Sequence, residues 1–376
     1  MAVYRCRLIP LTPIHVGAGE TIALEDYFLA NGKLTRFHPP AVLRAMSDAE
    51  RNRYMGLLSG GDTNMGDALK LLRDCAQKTP GSWIYSIEVG AASRQSLAEA
   101  LNKVETSRGE VHPLIWNEVR CEAVLPGSAI KGAIRTALLS GIVAGRIGKE
   151  REWADNWKRK IEEKGRENPR RVAFLAQELE AEVFRKGQQG LEYDPFRFVK
   201  VSDARVPSAC VRLDRVMLLS RSERDSSAKI QMHFERVISA ADGGKAPVLE
   251  FDLTIEKEEK KWHGGISGYL GGVPSLERLL QSMQYHYDNR IYSEMTRFAE
   301  LYQSQQWVEW RTACKKPGCT LIRLGRFSHF ESLSVEGLRK TQDRLGRWIE
   351  EGTSRTYCTP DGTKKMPFGW ALLQVL

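Results

Sequence analysis

Leu125-Pro-Gly-Ser-Ala-Ile-Lys-Gly-Ala-Ile-Arg-Thr-Ala-Leu-Leu139 packs a turn, a helix start and two cations into one segment. Pro126-Gly127 is turn chemistry, and Ser128 is a residue type that caps a helix N-terminus. From there Ile130, Ile134, Leu138 and Ile142 recur every four residues, the spacing of one buried helical face. Lys131 and Arg135 share a neighbouring face. A helix N-terminus presents unpaired N–H groups and the positive end of a dipole, which suits a phosphate, and the two cations would strengthen such a site. The same residues also fit an ordinary capped helix with solvated cations.

The surrounding chain favours the first reading. Its 376 residues suffice for two or three domains, and 42% hydrophobic with 27% charged residues fits a soluble globular protein. No apolar run reaches the roughly 20 residues that span a bilayer. The opening MAVYRCRLIPLTP breaks at prolines too early for a signal peptide, so the expected compartment is the cytoplasm, with no membrane partner. A formal net charge of +9 points to an anionic partner, nucleic acid being the commonest. Seven cysteines without an export signal imply reduced thiols. Cys314 and Cys319 with His329 downstream supply only part of a zinc ligand set, so no metal or other cofactor is expected and a turn between buried thiols is.

Residues 3–10 alternate as a strand and run into Leu11-Thr-Pro-Ile-His-Val-Gly-Ala-Gly-Glu20. Asn31-Gly32 sets a hairpin between Ala23–Ala30 and Lys33–Phe37. Helices follow from Ala41 and over Met65–Gln77, a strand over Ser82–Val89, a helix over Arg94–Val104, and a strand over Glu118–Val124. The charged stretch at about 148–190 reads as a helical insertion with a solvated cationic face. Strands are expected over 196–204, 209–219 and 230–238. The loop Ala240–Pro247 is the best boundary, giving domains 1–243 and 244–376. Beyond it come a strand over Val248–Lys257, a glycine-rich run at His263–Gly272, a helix over Pro274–Gln303, and strands over Thr320–Gly325 and Pro367–Leu376. Strands following strands directly, mixed with helices, indicate an α+β fold.

Three loops share one chemistry: His15–Gly19, Gly127–Gly132 and Leu324–His329. Each follows an expected strand and sets glycine or another small residue beside a cation or histidine. Small residues allow a phosphate backbone to approach, and amides and cations can hold it. Phe327 and Phe330 would stack on bases. No Walker loop, Gly-x-Ser-x-Gly elbow or His-Glu-x-x-His pattern is present. A nuclease could recruit His15 or His329 as general acid or base. Asp26 and Asp203 read as turn or strand-end caps.

The motifs at Leu11–Gly19 and Leu125–Ala137 resemble the two N-terminal motifs of the RAMP superfamily of CRISPR-associated proteins. Glu25–Leu34, Val199–Asp203, Thr353–Thr356 and Met366–Trp370 resemble one branch, the fifth subunit of the type III-A (Csm) effector complex. The resemblance implies two RRM-like (ferredoxin-like) RAMP domains with helical insertions. It implies a non-catalytic subunit that caps the backbone filament and holds the 3′ portion of a CRISPR guide RNA. Its partners would be neighbouring backbone and small subunits, with target RNA and trimming nucleases as further candidates. The RNA contacts it implies are His15, Gly17, Gly19, Ser128, Lys131, Gly132, Arg135, Arg326, Phe327 and His329, with no catalytic residue and no metal. Asp26 lies near the cleaving aspartate of the related repeating subunit, but Leu24-Glu-Asp-Tyr27 differs from its surroundings and no catalytic role is carried over. The alternatives are a RAMP endoribonuclease processing CRISPR transcripts and a mainly architectural, protein-binding subunit.

Overall fold

In the computed structural model, which describes residues 1–60, 64–104, 106–167, 172–185, 190–220, 232–256, 270, 272–302, 306–342, 346–359 and 363–376, the alternation at the N-terminus becomes a central strand. Strand Ala2–Pro10 sends Cys6, Leu8 and Pro10 into the core. It pairs antiparallel with Leu249–Ile255 on one side and Trp370–Val375 on the other. Val199–Val201 and Cys319–Arg323 complete a five-stranded sheet in the order 319–323, 370–375, 2–10, 249–255, 199–201.

Two long helices serve this sheet. Helix Gly127–Ile147 forms because Ile130, Ile134 and Leu138 fall on one face, and all three are fully buried. Helix Leu276–Arg297 starts at Ser275, whose hydroxyl accepts the Arg278 N–H. The two pack together, and the Tyr287 hydroxyl donates to the Ala133 carbonyl at 3.1 Å. Ala2–Pro10, Val199–Val201, Leu249–Ile255 and Trp370–Val375, with the two helices, read strand, helix, strand, strand, helix, strand with sheet order 4-1-3-2, and Cys319–Arg323 adds a fifth strand at the edge. That is a ferredoxin-like unit assembled from the whole length of the chain.

The second sheet runs Met366–Pro367, Ser354–Cys358, Val211–Ser220, Trp83–Val89, Lys33–Phe37, Tyr27–Ala30, with Met232–Val237 also pairing Val211–Ser220. The expected hairpin turns at Asn31-Gly32, both with positive φ. Both sheets therefore take strands from either side of residue 243, and the division into 1–243 and 244–376 does not separate them. Strand pairing here joins the two ends of the chain.

The charged stretch forms helices Arg151–Glu167 and Val172–Arg185. It is less solvated than its composition suggests. Glu182 accepts from Trp153 and from Trp157, and pairs with Arg146 at 2.7 Å. The run 263–272 lies outside the described residues except at Leu270 and Gly272. Cys314 and Cys319 are both buried, and burial pushes the Cys314 thiol up to about 12.

Candidate nucleic-acid interface

The open face of the five-stranded sheet carries Val3, Arg5, Arg7 and Ile9, facing neighbours such as Glu250 and Asp252. Arg7 pairs with Glu250 at 3.3 Å. These positions carry no aromatic side chain, so the stacking surface of an RRM sheet is absent from them.

A cleft of about 580 Å³ lies elsewhere, and segments from all three small-residue loops line it: His15 to Gly19, Ala129 to Thr136 of the long helix, and Leu324 to Ser328. Main-chain bonds lock the first and third together. The Arg326 N–H donates to the His15 carbonyl at 3.0 Å, Leu324 N–H to Gly369, and Gly369 N–H to Pro13. Gly325 makes the crossing possible. Its φ is +90°, and a Cβ there would lie 2.2 Å from the His15 carbonyl oxygen.

Ala129, Gly132, Ala133 and Thr136 are the helical residues at the cleft. The small-residue face of the helix therefore looks into it, and the cationic face turns elsewhere. Arg135 is committed to the protein: it pairs with Glu180 and with Asp194, each at 2.8 Å, and lies over the Phe184 ring at 4.4 Å. The expectation of Arg135 as a phosphate clamp gives way to that of an internal strut. Lys131 is half-buried over Phe196, with Nζ 5.4 Å from the ring centroid. Burial is the first cause of its lowered pKa and nearby Arg135 the second.

The helix start also differs from expectation. Pro126 is the N-cap, and Ser128 sits exposed inside the first turn. The cap comes from Asp203, whose Oδ1 accepts the Gly127 N–H at 2.7 Å. The position where a phosphate was expected already faces a carboxylate. Gly127 is required here, because a Cβ would lie 2.2 Å from the Val201 carbonyl oxygen.

His15 is buried, and its Nδ1 donates to the Glu235 carbonyl at 2.7 Å. Burial, aided by Arg326, pushes its pKa down to about 4, so the ring is neutral at pH 7. His329 does not line the cleft. It has φ +59°, its Nε2 accepts the Thr356 N–H at 3.3 Å, and burial beside Arg323 and Arg355 lowers it to about 3. Phe327 packs on Phe234 and Phe368 with centroids 4.9 and 4.8 Å away. It belongs to an apolar cluster behind the cleft. Phe327 and His329 both make contacts within the protein and neither lines the cleft. Arg326 remains exposed at the cleft.

Two residues escaped sequence reading. Glu235 is fully buried and accepts from the Tyr85 hydroxyl at 2.5 Å, Trp116 Nε1 at 2.6 Å and the Leu114 N–H at 2.9 Å. Burial nevertheless raises its carboxyl to about 7. It anchors the wall that carries His112 and Pro113. The one hint of it was a charged residue at an inward position of an alternating strand. His112 lines the cleft itself, and nothing in its local sequence singles it out.

A sequence profile described as the RAMP superfamily matches residues 7–301. No curated protein matches the chain. Among solved structures, a chain of the "Csm-crRNA-target RNA ternary complex in type III-A CRISPR-Cas system" shares 15% identity at a TM-score of 0.66, over 100% of both chains. Csm5 of T. onnurineus shares 16% identity at a TM-score of 0.57, over 98% of this chain and 100% of that one. At these identities the likeness is one of fold. No helix among the described residues is long and apolar enough to cross a membrane.

Proposed function

This chain belongs to the RAMP superfamily, and from that premise we propose that it is a non-catalytic RNA-binding subunit of a type III-A effector ribonucleoprotein. It caps the backbone filament and holds the 3′ portion of the guide RNA in the cleft between the three loops. The observation that carries this reading is the convergence of His15–Gly19, the small face of helix Gly127–Ile147 and Leu324–Ser328 on one cavity with an exposed arginine. Gly17, Gly19 and Gly132 admit the backbone, and Arg326 contacts a phosphate. Lys131, which no carboxylate among the described residues pairs, contacts another outside the cleft, on the neighbouring face of the helix. Neighbouring backbone and small subunits are the protein partners, with target RNA and trimming nucleases as transient ones.

The endoribonuclease reading is the less favoured one. A general acid must be protonated near neutrality, and both His15 and His329 are held neutral, each with one ring nitrogen engaged. The test is titration of single-stranded guide RNA at several salt concentrations. Arg326→Ala and Lys131→Ala should each reduce the slope of log affinity against log salt by about 0.7, with unchanged melting. Wild-type slopes in both variants would overturn the assignment, and RNA cleavage abolished by His15→Ala would restore the nuclease.

A further inference from the structure

Phe327 was the aromatic expected to stack on bases, and it packs on Phe234 and Phe368 without lining the cleft. Two imidazoles do line it: His15 is buried, and His112 is the half-buried one. It occupies strand Val111–His112, which pairs in parallel with Met232–Val237 and sets His112 opposite Phe234. The two rings stack with centroids 4.3 Å apart and planes at 15°. Phe234 is itself fixed by edge contacts from His15 at 4.8 Å and Phe327 at 4.9 Å. One face of the imidazole is thus held against a rigid support. The side chain is only half-buried and lines the cavity.

The geometry points to His112 as the base-stacking platform of the cleft, receiving one nucleobase of single-stranded RNA while Arg326 takes the adjoining phosphate. The inference rests on the RNA-binding reading above and adds to it the group that meets a base. Three observations agree. Arg326 lies over the same Phe234 ring, its guanidinium 5.4 Å from the centroid, and lines the same cleft. Burial first and Arg326 second lower the His112 pKa, which keeps the ring neutral at pH 7 and suited to stacking rather than to pairing with phosphate. Gly17, Ala129, Gly132 and Ala133 are among the other lining residues and leave room for a planar group beside them. Stacking of this kind is tolerant of sequence, as a guide-holding subunit requires.

The test uses the full chain with an eight-nucleotide single-stranded oligoadenylate and an abasic ribose-phosphate oligomer of equal length. His112→Ala should weaken oligoadenylate binding roughly tenfold, the effect of losing one stacked base, with no change in salt slope. His112→Phe should restore affinity, which separates stacking from a folding defect. Arg326→Ala should do the reverse, lowering the slope for both oligomers. Wild-type affinity in His112→Ala would overturn the platform, and so would equal binding of the abasic and adenylate oligomers by the wild type. If the wild type binds neither oligomer, the RNA-binding reading falls and the platform with it.

Discussion

Replacing Arg135 and Lys131 one at a time should give opposite outcomes, although the two residues are one helical turn apart. The Arg135 side chain retains 20% of its exposure, and it faces Asp194 at 7% and Glu180 at 34%. Arg135→Ala would leave Asp194 buried with the Phe196 N–H, at 2.9 Å, and the more distant Lys131 cation to offset its charge. Breaking a buried ion pair from one side costs about 3–5 kcal/mol. The partly exposed Glu180 places this case at about 3, to which the lost contact with the Phe184 ring adds. At about 2 °C per kcal/mol for a chain of this size, melting should fall by roughly 6 °C. Lys131→Ala removes a half-buried cation without an ion-pair partner among the described residues, and should shift melting by no more than about 1 °C. Circular dichroism melts and RNA titrations on the same preparations decide the matter. If Arg135→Ala melts like wild type but loses RNA affinity, Arg135 is a phosphate clamp and the strut argument is refuted.

Capping gives a second contrast: Asp203→Ala should cost about 1 kcal/mol in urea unfolding, and Ser128→Ala nothing measurable, the reverse of a Ser128 N-cap. Gly325→Ala should destabilise by about 1–3 kcal/mol and weaken RNA binding, since its φ is +90° and the new Cβ meets His15; an unchanged denaturation midpoint would contradict the close crossing. Acid should destabilise early. His15, His233 and His286 are held near 4 and His329 near 3 by burial, so in the unfolded chain they take up protons from about pH 6.5 downward while the folded chain resists. Each should remove up to about 1.4 kcal/mol per pH unit as pH falls from about 6.5 towards its folded value. Glu235, raised to about 7, works in the other direction, as do Asp214 and Asp288, whose carboxyls burial also raises; the four histidines outnumber them, so melting temperatures measured from pH 7 to pH 4.5 should still fall.

Local signals carried the secondary structure well. The four-residue spacing from Ile130 produced the central helix, Asn31-Gly32 the hairpin, and the alternation of residues 3–10 the central strand. They carried the cleft partly: the three loops share a composition because they surround one space, and the shared composition was readable. The role of each side chain was not. Whether Arg135 meets water or a carboxylate depends on Asp194 and Glu180, which only the fold brings near. Whether Phe327 or His112 faces the cleft depends on which ring Phe234 supports, and no spacing rule reaches across those distances. Spacing along one helix fixes which residues share a face, but leaves open which face looks into the cleft.

The interleaving of the sheets makes the boundary at residue 243 a quantitative matter. A chain of two sequential domains would let residues 1–243 fold alone. Here strand Ala2–Pro10 has both its neighbours, Leu249–Ile255 and Trp370–Val375, beyond that boundary. The long helix would lose its partner Leu276–Arg297, leaving Ile130, Ile134 and Leu138 without the far side of their core. The cleft would lose its third wall, since Leu324 to Ser328 is held by Gly369 and His15. A strand stripped of both neighbours leaves its ladder hydrogen bonds unmade and cannot stand by itself in water. A fragment of residues 1–243 should therefore show no cooperative unfolding transition in urea and no salt-sensitive RNA binding, whereas the full chain shows both. A sharp transition in the fragment would mean that the second sheet is a self-sufficient unit and that the terminal strands merely decorate it.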